Sequence, residues 1–187
     1  MKKNISEMVR LSWVEPLLQG ISFWLGYKKQ LYRHHPLTEG AIVGEAINII
    51  YANISESDAL ICEKMYREMG VKDAGQKRAD LVIADKKTKK EKIIIEVKRD
   101  SVSPTLIIED LKRLANVKKS KRNVRCFLLL VSQGSKPKKF VTKNGIAVRR
   151  DIHFDDFHVN VRRVCKATGS FTKQGAAHYA CLIEVQI

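Results

Sequence analysis

Arg78-Ala79-Asp80-Leu81-Val82-Ile83-Ala84-Asp85-Lys86-Lys87-Thr88-Lys89-Lys90-Glu91-Lys92-Ile93-Ile94-Ile95-Glu96-Val97-Lys98 contains two short, β-branched-rich apolar runs separated by a charged run. Leu81 to Ala84 and Ile93 to Ile95 read as the strands of a hairpin, and Asp85 to Lys92 as its solvated loop. Folding the hairpin about Thr88 sets Asp80 opposite Glu96. Strand side chains alternate between faces, so Glu96 and Lys98 share a face while Ile95 and Val97 point the other way. Two carboxylates and an ammonium thus converge at the end of hydrophobic strands, where charges are costly unless they satisfy one another or bind something. An all-oxygen donor set with open positions suits a hard divalent cation, Mg²⁺, with Mn²⁺ as its substitute. The competing reading is a surface hairpin whose three charged groups are solvated or form a structural salt bridge.

The flanking segments read as helices and a strand. A helix begins near Thr38, an N-cap residue after Pro36. Ile42, Ala46, Ile49 and Ile50 form its apolar stripe, and Glu45 lies within that stripe, either aimed at the carboxylate pair or at the helix edge. Ser57 to Met69 is expected to be helical, with Leu60, Ile61 and Met65 on one face and Gly70 as its stop. Ser103-Pro104 opens a helix to about Lys118. Leu106, Ile107, Leu111, Leu114 and Ala115 would be buried, with Lys112, Arg113, Lys118 and Lys119 outward. Glu109 and Asp110 are read as early-turn charges that complement the helix dipole. Val124 to Val131 is apolar on both faces, as in a central strand covered by helices, and implies a parallel crossover from the Glu96 strand.

The order of an acidic helix residue, an aspartate and then Glu-x-Lys resembles the PD-(D/E)xK phosphodiesterase superfamily. The matching positions are Glu45, Asp80, and Glu96 with Lys98, and the resemblance covers about the middle half of the chain by element order. It departs at Ala79, where the family's name has proline, and no glutamine–tyrosine motif follows the Lys98 strand. The resemblance implies an α/β (α+β) fold with a restriction-endonuclease-like αβββαβ core, here with amino-terminal helices and a carboxy-terminal β-hairpin. It further implies a Mg²⁺-dependent endonuclease acting on DNA in preference to RNA. Asp80, Glu96, Glu45 and the backbone carbonyl of Val97 would hold the metal, and Lys98 would position the attacking water. A noncatalytic nucleic-acid-binding module and a partner subunit that retain the fold are the alternatives.

Composition agrees with a polyanionic partner. The 187 residues carry 35 Lys and Arg against 20 Asp and Glu, a net charge of +15, and 44% are hydrophobic. Such a chain is globular, long enough for one domain (1–187), and favours nucleic acid over an anionic membrane. Within that domain, 1–36 reads as a helical segment, 37–131 as the catalytic core and 132–187 as a β-rich extension. Lys77, Arg78, Lys112, Arg113, Lys136 and Lys138 are the candidate nucleic-acid contacts. Cys62, Cys126, Cys165 and Cys181 lack metal-site spacing, and no leader sequence is evident, so a reducing cytoplasmic location is expected. Cys126 and Cys181 read as buried thiols. The histidines lack H-E-x-x-H spacing, and His34-His35 reads as part of a polar turn. In the amino-terminal region, Asn4 and Glu7 suggest a helix cap, and Pro16 and Gly20 are expected to divide the apolar pattern into two helices. That stretch is too interrupted to span a bilayer. Near the other end, Ile146 to Val148 reads as a short strand, and Val159 to Ala167 and His178 to Ile187 as a hairpin turning at Gly169-Ser170. One cutting site per chain would favour a homodimer for double-strand cleavage.

Overall fold

A computed structural model describes residues 11–31, 37–71, 74–168 and 177–187. The Asn4–Glu7 cap, the His34-His35 turn and the Gly169-Ser170 turn lie outside these residues. Among the described residues the chain forms three α-helices and one mixed, seven-stranded sheet, an α+β architecture. The helices are α1 (Val14–Leu31), α2 (Glu39–Tyr51) and α3 (Pro104–Ser120). The strands are β1 (Asp58–Met65), β2 (Arg78–Asp85), β3 (Glu91–Arg99), β4 (Arg125–Gln133), β5 (Ile152–His153), β6 (His158–Ala167) and β7 (His178–Gln186), ordered β1-β2-β3-β4-β7-β6-β5. Only the β3–β4 pair is parallel, joined by the α3 crossover; the others are antiparallel.

The sheet separates two apolar layers. Leu81, Ile83, Ile95, Val97, Phe127 and Leu129 face α1 and α2, while Val82, Ile94, Cys126, Leu128 and Leu130 face α3. This is period-two alternation, and β4 is apolar on both faces because helices cover both. Phe127 is fully buried and meets the Trp13 ring edge-on at 6.1 Å. Phe127→Ala is expected to cost about 3–5 kcal/mol, measured by urea unfolding, because the layer cannot collapse into the space left. A loss under about 1 kcal/mol would contradict this packing.

Three local readings are corrected. Val14–Leu31 is one helix, because Pro16 falls in its first turn, where no amide bond is lost. Gly20 is a close approach to α2: a Cβ there would stand 2.6 Å from Ile49 Cδ1. Ser57 to Met69 is a strand followed by a 3₁₀ turn (Tyr66–Met69), not a helix. Its pairing with β2, from Asp58↔Asp85 to Met65↔Arg78, satisfies a backbone whose edge position leaves it half-buried and without clear alternation. Residues 146–148 form no strand; an isolated bridge joins Val141 to Ala147. The carboxy-terminal hairpin does form, with β7 against β4 and β6 outside it. Cys126 and Cys181 are buried. Among the described residues no helix is long and apolar enough to cross a membrane.

Candidate active site

The β2–β3 register pairs Leu81 with Ile95 and Val82 with Ile94, which carries Asp80 opposite Glu96. There the backbone ladder ends: the Val97 amide donates to Asp80 Oδ2 at 2.7 Å. On the other side of β2 the pairing jumps from Cys62↔Leu81 to Lys64↔Ala79, leaving Glu63 opposite Asp80 with φ 56°. A left-handed non-glycine residue is uncommon and costs roughly 1–3 kcal/mol. Asp80 therefore sits where the β2–β3 ladder ends and opposite one skipped pair of the β1–β2 ladder, and its carboxylate replaces part of the β2–β3 ladder.

Glu96 is 3% exposed, on the α3 face with Ile94. Its side chain hydrogen-bonds Asp80 and accepts the Tyr66 hydroxyl's hydrogen bond. Burial, then the Asp80 charge, push the Glu96 carboxyl up to about 8, against the weaker pull of Tyr66 and Arg113. Burial also raises Asp80, opposed by the Val97 amide, Glu96 and Lys98. At neutral pH the pair thus shares a proton carried on Glu96, as two adjacent buried carboxyls must.

Lys98, two residues along the same face, links helices from both layers. Its Nζ lies 2.6 Å from Glu39 Oε1 of α2 and 3.2 Å from Asp110 Oδ2 of α3. Asp110, 1% exposed, also pairs with Arg113, whose guanidinium lies 6.0 Å from the Tyr66 ring centroid. A connected set results: Asp80, Glu96, Tyr66, Arg113, Asp110, Lys98 and Glu39.

The helix residue that reaches Lys98 is thus Glu39; Glu45 lies six residues further on, roughly 9 Å along the axis, and forms no ion pair among the described residues. Asp110 is a buried partner, not an early-turn dipole charge, because it follows Pro104 by more than a turn and falls on the Ile107–Leu111–Leu114 stripe. That spacing was the available signal, as was the first-turn place of Glu39 after the Thr38 cap. Tyr66 was obscured by the helical reading of its segment. Arg113 faces Asp110, not solvent, which removes it from the exposed basic side chains. Lys118 is also turned back, bonding the Arg122 and Val124 carbonyls. Lys77, Arg78, Lys112 and Lys138 are exposed and Lys136 half-buried, on separate segments.

Among the described residues no three His, Cys, Asp or Glu side chains stand together at metal-holding spacing. The donor chemistry nevertheless fits a hard cation: Asp80 and Glu96 adjoin as oxygen donors, with a proton where a cation could bind. The connected set also holds four carboxyls (Glu39, Asp80, Glu96, Asp110) against two cations (Lys98, Arg113), in a chain of net charge +15. No family model, curated protein or solved structure matches the chain.

Proposed function

We propose that this chain is a Mg²⁺-dependent endonuclease of the PD-(D/E)xK type, hydrolysing phosphodiester bonds in nucleic acid, with DNA preferred over RNA. The observation that carries the reading is the meeting of Asp80, Glu96 and Lys98 where β2 and β3 diverge, with the Glu39 carboxylate of α2 beside Lys98. The element order α2-β1-β2-β3-α3-β4, with β4 parallel to β3, is that expected of a restriction-endonuclease-like core. The DNA preference comes from the family resemblance alone. The net charge of +15 suits a phosphate backbone.

Asp80, Glu96 and the Val97 carbonyl would hold the metal, with Glu39, in the place expected of Glu45, as the helix carboxylate. Bound there, Mg²⁺ would activate water and neutralise charge on the phosphoryl oxygens. Glu96 must first release the proton it shares with Asp80. Lys98, held between Glu39 and Asp110, orients the attacking water and offers positive charge to the phosphate in the transition state. The Val97 amide fixes the Asp80 carboxylate, and Tyr66 does the same for Glu96.

A noncatalytic binding module is the second reading, favoured by the absence of a three-acid group at metal spacing among the described residues. Incubation with supercoiled plasmid and with RNA, in Mg²⁺, Mn²⁺ or EDTA, separates the two. Nicked or linear plasmid is expected with either metal and none with EDTA. Binding without cleavage under both metals would leave the module.

A further inference from the structure

We propose that Asp110 is a positioning residue that holds the Lys98 ammonium at the diverging strand ends; its catalytic consequence rests on the nuclease reading above. Asp110 occupies a place on α3 that packing alone would give to an apolar residue, between Ile107 and Leu111 on the buried stripe. A buried carboxylate there is costly unless paired. Its oxygens are divided between two cations: Oδ1 meets Arg113, and Oδ2 lies 3.2 Å from Lys98 Nζ. Oδ2 has no aligned hydrogen bond, so charge attraction, not a directed bond, secures the ammonium from this side.

Lys98 needs such a hold. A lysine is a point charge on a flexible four-carbon stem, and one anchor leaves it free to swing. Glu39 is the other anchor, on the opposite layer, and is itself about a third exposed at the side chain. Asp110 is the buried and therefore rigid member. Arg113 keeps Asp110 from being an unpaired charge and carries the linkage to Tyr66 and so to Glu96. One helix face thus sets the ammonium and steadies the carboxylate it must work beside.

The test compares Asp110→Asn with wild type in plasmid cleavage and in acylation of the Lys98 amine by an N-hydroxysuccinimide ester, read by mass spectrometry without metal or substrate. Asp110→Asn is expected to lower kcat roughly 10- to 100-fold with KM within about twofold, as displacement of an orienting group does. Labelling of Lys98 is expected to rise several-fold. Asp110→Glu, which keeps the charge, should recover part of both changes. Leu114→Ala, destabilising on the same helix but outside the connected set, should alter neither. If Asp110→Asn does not fold, Asp110→Asn with Arg113→Met removes both charges together and is expected to show the same changes. Cleavage and labelling unchanged in a folded variant would overturn the inference while leaving the nuclease reading intact. A wild type that cleaves nothing would overturn the nuclease reading; Lys98 labelling then decides the hold by itself, and equal labelling overturns it.

Discussion

Raising the pH from about 5 to about 8.5 in EDTA is expected to lower the thermal midpoint of this protein by roughly 10 °C. The cause is Glu96. Its carboxyl is pushed up to about 8 in the folded chain by burial and by Asp80, whereas its ordinary value is 4.5. Between those two values the native state keeps a proton that the unfolded chain has released. The unfolded state therefore binds fewer protons, and stability falls as pH rises through this window, by about 3–5 kcal/mol in all. Asp80 is raised in the same direction by its own burial. Glu96→Gln keeps a neutral, hydrogen-bonding side chain and should flatten the profile, leaving the variant more stable than wild type at about pH 8. Mg²⁺ should lessen the alkaline loss in wild type, since a cation bound only by the native state stabilises it. An alkaline midpoint equal to the acid one, in wild type without metal, would mean that Glu96 is not held buried beside Asp80.

Asp80→Asn and Lys98→Ala are each expected to slow plasmid cleavage by about 10³-fold or more, through lost charge stabilisation at the phosphate and loss of the oriented water. DNA affinity should stay within about threefold, because binding draws on many backbone contacts of a strongly basic chain, not on this one cluster. The two losses should not multiply in the double variant, since both groups serve one transition state. Glu39→Gln should also impair cleavage, with Glu45→Gln much nearer to wild type, because of these two α2 carboxylates it is Glu39 that pairs with Lys98. Full activity in Asp80→Asn or Lys98→Ala would remove the chemistry from this site. Equal loss of binding and cleavage would instead mark these residues as part of the fold's support.

The hairpin, the face shared by Glu96 and Lys98, the α3 start at Ser103-Pro104 and the doubly covered β4 were all legible from the chain. Each depends on a pattern a few residues long: alternation, a cap or an apolar run. Asp80 opposite Glu96 follows from counting about Thr88, but the loop alone does not set that register: the pairing shifts by one residue at Ile83/Ala84, between the loop and the site. What lay outside such windows came only with the packed molecule. Whether Ser57 to Met69 coils or extends was decided by β2, whose open edge takes up the backbone bonds of β1. Pro16 and Gly20 broke nothing, since one stands in a first turn and the other lets α2 approach. Glu39 beside Lys98, Asp110 as a buried partner and Arg113 turned inward all depend on where two helices cross the strand ends from opposite sides. Short-range patterning determined which residues share a face; only the crossing of distant elements determined which charges meet, because that contact is set by packing over the whole sheet.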